Sequence, residues 1–148
     1  MIMKKLVLLL VSVFTIQLAS ADNDKPITFE QLPAVAQQFV KKHFASEKVA
    51  FAKEDSELFD TSYEVMFANG DKVEFNKKGE WTDIKCKHSQ VPAAVVPQAI
   101  QKFVTDRYPD AKIISLEKDR YSYEVKLNNR WEIKFDTKFN VIDMDSDD

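Results

Sequence analysis

The sequence predicts an α+β protein in which two helices cover one face of an antiparallel sheet of about eight strands. Two observations lead to this prediction. Two similar segments follow each other along the chain. In each of them a helical spacing of apolar residues is followed by alternation of apolar and polar residues. Each half is therefore predicted to form one helix followed by four strands.

The repetition is visible in two blocks of the sequence. Residues 32–40 (LPAVAQQFV) correspond to residues 96–104 (VPQAIQKFV), and the Tyr-Glu-Val of 63–65 recurs at 123–125. Two blocks in the same order, followed by the same hydrophobic pattern, indicate a duplicated unit. We expect repeat 1 over 22–88 and repeat 2 over 89–148. The two should form one compact domain, because a unit of about 60 residues buries little of its surface alone.

The first 21 residues have the features of a signal peptide. Lys4 and Lys5 precede an apolar run over 6–18, and the Ala-Ser-Ala of 19–21 fits the small-residue cleavage pattern. The run is short for a membrane span, which needs roughly 20 residues. No cysteine follows it to carry a lipid anchor. We expect cleavage after residue 21, and a periplasmic or secreted protein with no stable membrane anchor.

The composition argues against several classes of protein. The formal net charge of −3 disfavours nucleic acid as a partner. A single cysteine, Cys86, excludes an intramolecular disulfide, so stability must come from an apolar core that includes many of the 11 phenylalanines. With two glycines in the entire chain, there is no glycine-rich phosphate loop.

The elements follow from the change of period. Each helix is predicted to carry one apolar stripe, with Pro33 or Pro97 near its start. The strands are then expected to include 48–53, 63–68, 73–75 and 81–86 in repeat 1, and 112–117, 121–127, 131–135 and 141–144 in repeat 2.

A short turn fixes the register of the first hairpin. A three-residue loop at 68–70 pairs Val65 with Val73 and Tyr63 with Phe75, which places all four side chains on one face. That face is expected to carry the helices, and the charged opposite face is expected to meet water.

The second hairpin is predicted to follow the same register. Glu124 then faces Lys134 and Lys126 faces Glu132, and opposite charges across a ladder are favourable. Arg130 is the one departure, since it stands where the first hairpin has a glycine.

The loop that follows determines the position of a tryptophan. A four-residue loop at 77–80 would pair Phe75 with Thr82, and Trp81 would then point away from the helices. A Trp and a Met on a charged face resemble an interface anchor inside a polar rim. A loop of different length by one residue would instead bring Trp81 over the sheet edge into the core. The candidate protein-binding face consists of Glu64, Met66, Lys72, Glu74, Trp81, Asp83 and Lys85.

The residues predict no catalytic site. His43 lies at a polar helix end and His88 in the linker between the repeats. Glu64 and Glu74 would be cross-strand neighbours, and such a pair performs acid–base chemistry only if burial raises one pKa. A solvated ladder is the simpler interpretation.

The residues predict no metal or cofactor site either. Cys86 and His88 supply two ligands where zinc requires three or four, and we expect a buried Cys86 that alternates with Ile84. The acidic end of the chain lacks an ion-binding loop and the glycine of an EF-hand, which favours a solvated tail over a calcium site. That end contains Asp143, Asp145, Asp147 and Asp148.

The repeated motif resembles a known family. A signal peptide, Leu-Pro and a later Phe on a helix, then Tyr-Glu-Val before a turn and an apolar-Glu-Phe strand, all in tandem, resemble the PepSY-like proteins of the Bacteroidetes periplasm. These are also called "putative β-lactamase-inhibitor-like" proteins. The matching stretches are 32–40, 63–81, 96–108 and 123–141. The resemblance implies the architecture of the β-lactamase inhibitor proteins, whose concave, helix-free sheet face grips an enzyme. No inhibitory residue carries over.

Two functions are therefore expected. The first is an exported, non-catalytic binding protein that engages a periplasmic or extracellular protein or peptide through its helix-free sheet face. The alternative is a small-ligand-binding or envelope-stress protein with a site between sheet and helices. In that site Tyr63, Tyr121 and Tyr123 would supply hydroxyls. Neither function requires a cofactor.

Overall fold

The computed structural model describes residues 24–146 as an α+β fold. The predicted signal peptide and the last two aspartates lie outside these residues. The strands form one antiparallel sheet whose spatial order is the chain order. The elements are β1 (Asp24–Ile27), α1 (Ala34–His43), β2 (Val49–Glu57), β3 (Asp60–Phe67), β4 (Lys72–Phe75), β5 (Trp81–Lys85), α2 (Gln98–Arg107), β6 (Ile113–Lys118), β7 (Ser122–Leu127), β8 (Trp131–Asp136) and β9 (Val141–Ser146).

The sheet has one strand more than the sequence predicts, because β1 pairs with β2 ahead of the first helix. Both helices begin directly after a proline, Pro33 or Pro97, whose φ of −53° or −54° suits the entry into a helix. Each ends where an aromatic residue closes the last turn: the amide of Phe44 donates to Val40 (2.8 Å) in α1, and Tyr108 is the equivalent residue of α2.

One row of apolar side chains crosses the sheet and fixes the core. Both helices pack over it on the same face, since Phe39 of α1 meets Phe75 edge-on at 5.8 Å and Phe103 of α2 meets Phe135 edge-on at 5.6 Å. We call this set the core row. From β2 to β9 it consists of Ala52, Val65, Val73, Ile84, Leu116, Val125, Ile133 and Met144, each opposite the next.

The predicted registers of the two hairpins are confirmed. Every predicted pair between β3 and β4, and between β7 and β8, is present. Arg130 has a φ of 76° and therefore adopts the left-handed conformation that Gly70 adopts at 94°. The departure noted in the sequence changes the residue at this position but not the turn.

The loop between β4 and β5 differs from the prediction. The amide of Asn76 donates to the carbonyl of Glu80 (2.8 Å), so the loop has three residues, 77–79, and not four. As a result Phe75 pairs with Trp81. The predicted pairing of Phe75 with Thr82 is wrong.

A β-bulge at Thr82 restores the predicted register further along the strands, with Glu74 opposite Asp83. The bulge also reverses the expected orientation at the start of β5. Trp81 packs against the core cluster, and the Lys118 ammonium lies 4.3 Å from its ring centroid. The predicted outward position of Trp81 is therefore wrong, and the alternative in which it reaches the core describes the structure.

The two halves join through direct pairing of β5 with β6, so the sheet is continuous. A buried carboxylate holds the linker between them. Asp71, in the turn before β4, accepts hydrogen bonds from the amide of Lys87 (2.8 Å) and the hydroxyl of Ser89. Because a buried charge is costly unless it is hydrogen-bonded, these contacts tie the linker to the first half.

The two glycines allow a matched test of this packing, since both have positive φ (94° for Gly70, 86° for Gly79). A Cβ on Gly79 would lie 2.8 Å from Pro33 Cβ and 3.1 Å from the Ala36 nitrogen, whereas on Gly70 the nearest atom is Lys87 Cδ at 3.8 Å. We expect Gly70→Ala to lower the free energy of unfolding by about 1 kcal/mol. Gly79→Ala should cost about 2–4 kcal/mol, because overpacking adds to the strain. Urea denaturation measures both losses, and equal losses would contradict the packing.

Candidate functional site

The sheet face opposite the helices, which we call the open face, carries the candidate site. Side chains alternate between the two faces of a strand, so every residue next to a member of the core row points to the open face. The register that aligns the core row also aligns these neighbours. The open face is therefore organised into rows of its own.

The central row of the open face is acidic. Glu64 faces Glu74, Glu74 faces Asp83, Asp83 faces Glu117 and Glu117 faces Glu124. We call these five residues the carboxylate row. A lysine lies at each end, with Lys53 opposite Glu64 and Lys134 opposite Glu124. Like charges directly opposite each other destabilise a sheet. Five successive acidic residues therefore lower the stability of the fold.

One end of the carboxylate row is neutralised by lysines. Lys53 and Lys72 approach Glu64 at 3.8 and 3.5 Å, and Lys72 also lies 3.9 Å from Glu74. Lys53 donates a further hydrogen bond to Asp24 (2.9 Å), which together with the charge of Glu64 raises the pKa of that lysine. These pairs hold the acidic side chains of β3 and β4 in place.

The other end of the row is not neutralised in this way. Within residues 24–146, no lysine or arginine nitrogen lies within 4.0 Å of the carboxylates of Asp83, Glu117 or Glu124. Asp83 accepts a hydrogen bond from the hydroxyl of Thr82 (3.0 Å), the residue that the bulge brings to this face. Over β5, β6 and β7 the row thus presents negative charge that no ion pair within 4.0 Å neutralises among the described residues.

Two members of the row have perturbed protonation. Burial, a hydrogen bond with Asp83 and the charge of that residue raise the pKa of Glu74 to about 7. Burial also raises the pKa of Glu117, with further contributions from the charges of Asp83 and Glu124. Glu74 therefore changes its protonation near neutral pH, and the charge of the row changes with it.

A second row of the open face is mostly basic and borders a depression. Lys72 faces Lys85, Lys85 faces Ser115 and Ser115 faces Lys126. Lys126 forms an ion pair with Glu132 at 3.4 Å. The depression has a volume of about 490 Å³ and runs between this row and the carboxylate row. It is lined by Lys85, Cys86, Lys87, Ile114, Ser115, Glu117, Glu124, Lys126 and Glu132.

Six of the seven residues predicted for the binding face lie together on the open face. Glu64, Glu74 and Asp83 belong to the carboxylate row, and Met66, Lys72 and Lys85 form the first positions of the second row. Trp81 is the exception, as described above. Whether these residues bind a partner stays a prediction.

The binding face predicted from the sequence did not include the acidic residues of the second half, although Glu124 was correctly predicted to face Lys134 on the charged side of the sheet. Glu117 and Glu124 extend the row because β6 pairs with β5. This pairing joins residues that are 30 to 34 positions apart and follows no short turn, so no local pattern predicts it. A chemical signal was present, since Glu117 and Glu124 each adjoin an apolar residue of the alternating pattern.

The alternative site between sheet and helices is not assembled from the three predicted tyrosines. Tyr63 pairs with Phe75 on β4, Tyr123 pairs with Phe135 on β8, and both rings pack against the core cluster. Tyr121 is 72% exposed. The three hydroxyls therefore do not converge.

The remaining titratable candidates have structural positions. Cys86 is buried, as predicted, and burial raises the pKa of its thiol to about 11, so it is a protonated thiol at neutral pH. His43 lies against the ring of Phe39, and burial together with the charge of Lys42 lowers its pKa. Among the described residues, no group of three or more His, Cys, Asp and Glu side chains is arranged to hold a metal ion.

The fold and the open face define a class of protein: an α+β domain with two helices on one face of a nine-stranded meander and a charged, uncovered opposite face. The family model described as "Putative beta-lactamase-inhibitor-like, PepSY-like" matches residues 61–143. The chain belongs to this PepSY-like family, which confirms the resemblance seen in the sequence. A search among curated proteins gave no match.

Solved structures of similar proteins come from Bacteroides. A "putative calcium-regulated periplasmic protein" from Bacteroides thetaiotaomicron is 58% identical, with a TM-score of 0.82 over 83% of this chain and 97% of that chain. A "putative periplasmic protein from DUF2874 family" from Bacteroides vulgatus is 59% identical, with a TM-score of 0.83 over 86% and 100% of the two chains. A further protein from the same species, described as a "putative periplasmic protein of unknown function", is 38% identical, with a TM-score of 0.78 over 83% and 99% of the two chains.

Neither of the two helices in residues 24–146 has the length and apolar character needed to cross a bilayer.

The raised pKa of Glu74 predicts how stability depends on pH. The pKa rises from 4.5 to about 7, so the folded protein binds a proton more tightly than the unfolded chain. The contribution of Glu74 is fully present below about pH 4.5 and is lost as pH rises through about 7. Glu74→Gln cannot ionise, so we expect its stability relative to the unmodified protein to increase between about pH 5 and about pH 8.

Denaturation midpoints across this range measure the effect. Glu57→Gln, at an exposed position at the end of β2, removes the same charge without affecting the row and should follow the unmodified protein. A difference between the Glu74→Gln variant and the unmodified protein that stays constant with pH would contradict the assignment.

Proposed function

We propose that this chain is an exported, non-catalytic binding protein of the periplasm whose open face engages a positively charged segment of another protein or a peptide. The carboxylate row carries the proposal. Its five acidic side chains are aligned across five strands, and three of them lack a close cation in the described residues. The periplasmic location is supported by the predicted signal peptide and by the descriptions of the similar structures.

The electrostatics favour a cationic peptide over other ligands. Negative potential along the row repels phosphates, and so disfavours nucleic acid. Burial of Glu74 and Glu117 makes their ionised forms unfavourable, which raises their pKa values. A bound cation would relieve both the burial cost and the mutual repulsion. Since cation binding favours ionised carboxylates, it should also lower the pKa of Glu74.

The chemistry around the row supports binding in preference to catalysis. A raised pKa such as that of Glu74 suits a general acid or base. Its neighbours, however, are further carboxylates and lysines that pair with them, including Lys72 at 3.9 Å. This is the arrangement of a surface that recognises charge.

We further infer that the chain arose by duplication of a helix-plus-four-strand unit, giving the inhibitor-like architecture that the resemblance implies. The halves α1–β5 and α2–β9 have bulges at corresponding places, between Val49 and Phe51 and between Ile113 and Ser115. They also share three-residue loops that end in a left-handed residue. These residues are Gly70, Gly79, Arg130 and Phe139.

A lysine-containing peptide tests the binding proposal. The probe is a capped, fluorescent peptide of alternating lysine and glycine, titrated with the protein at low salt. We expect the double substitution Glu74→Gln and Glu117→Gln to weaken binding about three- to tenfold, because each exposed ion pair is worth up to about 1 kcal/mol. The matched control, Glu57→Gln with Asp110→Asn, removes two exposed charges elsewhere. Fluorescence anisotropy gives the affinities, and equal losses in both variants would show only a general effect of net charge.

Calcium is a second candidate ligand of the same row. One similar structure is described as "calcium-regulated", and carboxylate oxygens are the ligands that Ca²⁺ prefers. The fit is incomplete, because no group of three ligands is preformed in residues 24–146. Side chains of the row, such as Glu74, Asp83 and Glu117, would have to turn towards a shared ion.

A metal titration distinguishes this candidate. For the chelator-treated protein we expect Ca²⁺ to raise the thermal midpoint and Mg²⁺ at the same concentration to do so less, since Mg²⁺ demands stricter geometry. The Glu74→Gln and Glu117→Gln double variant should lose this response. An unchanged midpoint up to about 10 mM Ca²⁺ would exclude all but very weak binding at the row.

A further inference from the structure

The two edges of the sheet differ in their readiness to accept another strand. β1 has four residues and contains Pro26, which cannot donate to a ladder. β9 has six residues and no proline, and within residues 24–146 no strand pairs with its outer side. Val141 and Ile142 on this strand are 37% and 54% exposed. β9 therefore lacks the proline and the short length that protect the β1 edge, and the features that restrict pairing at β9 are Asp143, Asp145 and a bulge at Ile142.

On the open face, the acidic side chains of β9 have no neighbouring strand on their outer side within residues 24–146. Beyond the carboxylate row, at the β9 end of the same line, the signs alternate, with Glu124 facing Lys134 and Lys134 facing Asp143. A cation in the next position would continue the alternation, because opposite charges across a ladder are favourable. No lysine or arginine nitrogen in residues 24–146 lies within 4.0 Å of the Asp143 carboxylate.

In the neighbouring row, too, a cation on the outer side of β9 would be favourable. Lys126 pairs with Glu132, but Glu132 faces Asp145, a like charge, at the edge. A cation beyond Asp145 would offset this repulsion. The two aspartates are two residues apart on β9, so two cations two residues apart on an added strand would face both of them.

The side chains of β9 on the helix-covered face determine which residue of an added strand would fit between these two cations. Met144 closes the core row opposite Ile133 and packs against the core cluster, and Val141 lies opposite Phe135. An added strand would place an apolar side chain beside Met144 and extend the core by one position. The pattern required is therefore basic, apolar, basic, apolar.

We propose that β9 accepts an extended segment of a partner protein by strand addition, and that this segment has lysine or arginine facing Asp143 and Asp145 with an apolar residue between them. The proposal goes beyond the binding function above and does not depend on it, because the site is the edge of the sheet and not the carboxylate row. Main-chain hydrogen bonds would supply affinity and the two aspartates would supply selectivity.

A second copy of this chain is a poor occupant of the edge. Pairing β9 with β9 would set aspartates against each other, which is unfavourable. The β1 edge of another copy is blocked by Pro26. The aspartates thus oppose self-association through β9 and leave the edge selective for a basic strand.

Synthetic peptides test the proposal on the full mature chain. The first probe is a capped peptide of alternating lysine and valine, and its control has glutamate in place of every lysine. We expect only the lysine peptide to bind and to slow amide hydrogen exchange in β9. The double substitution Asp143→Lys and Asp145→Lys should weaken this peptide about tenfold and improve binding of the glutamate peptide. Both positions are exposed, so the fold should tolerate the change.

Two further peptides distinguish strand addition from charge attraction alone. One has every lysine amide methylated and the other has every valine amide methylated. Alternate amides of a strand point to opposite edges, so methylation of one set should abolish binding while methylation of the other leaves it intact. In the Glu74→Gln and Glu117→Gln variant the lysine–valine peptide should still slow amide hydrogen exchange in β9, even where binding at the carboxylate row is weakened. Failure of this proposal and failure of the proposed function are therefore separable.

Three results would overturn the proposal. The first is no binding of the lysine peptide at about 1 mM. The second is binding that survives both methylations or that is unchanged by reversal of Asp143 and Asp145. The third is a dimer in sedimentation that the same reversal disrupts, which would identify a second copy of the chain as the occupant.

Discussion

The structure depends on the register of the core row. Each strand from β2 to β9 contributes one apolar residue to this row, and a shift of any of these strands by one residue would turn its apolar side chains to water. Both helices then pack on the one face where these residues meet, through Phe39 on Phe75 and Phe103 on Phe135. The alignment of the core row fixes the register of the strands, and this register in turn fixes the rows of side chains on the open face.

The carboxylate row is one such consequence. Its members are the chain neighbours of core residues, alternately before and after them, as Glu64 precedes Val65 and Glu74 follows Val73. Since the core fixes the strands, the carboxylates cannot move apart by sliding. The core holds these side chains in place at the cost of their mutual repulsion, and burial, together with the hydrogen bond and the charge of Asp83, raises the pKa of Glu74 to about 7. An arrangement of charges that lowers stability but is kept on an uncovered face is typical of sites selected for recognition at the expense of stability.

Corresponding positions of the two halves show how the row becomes acidic at the centre of the sheet. By register, Lys53 of β2 corresponds to Glu117 of β6, and Glu74 of β4 corresponds to Lys134 of β8. The two halves thus carry opposite charges at these places. The differences gather negative charge where β5 meets β6 and leave the lysines outside. The buried residues are alike in the two halves because both pack into the same core. The charged residues of the open face are not constrained in this way, and they differ between the halves.

Local patterns in the sequence predict most of this fold, and the exceptions have physical causes. The helices and two hairpin registers follow from apolar spacing and turn residues. β1 was missed because four residues that include Pro26 show no alternation. The β4–β5 loop was predicted one residue too long, although Gly79 follows Asn76 by three residues as Gly70 follows Phe67. The predicted register between β4 and β5 is correct from Glu74 and Asp83 onward. The bulge at Thr82 makes this register compatible with a loop of three residues. Glu117 and Glu124 depend on a distant strand pairing, which no local signal encodes.

The bulge at Thr82 also changes the kind of recognition that the open face can perform. With Trp81 outward, the face would have had an aromatic anchor, and burial of a large ring would have supplied much of the binding energy. With Trp81 packed on the core and Thr82 donating to Asp83, the centre of the face is almost wholly ionic. Charge complementarity contributes more to association rate and selectivity than to affinity, and salt weakens it. Recognition at this face should therefore respond to ionic strength and, through Glu74, to pH near neutrality, whereas an aromatic anchor would respond to neither.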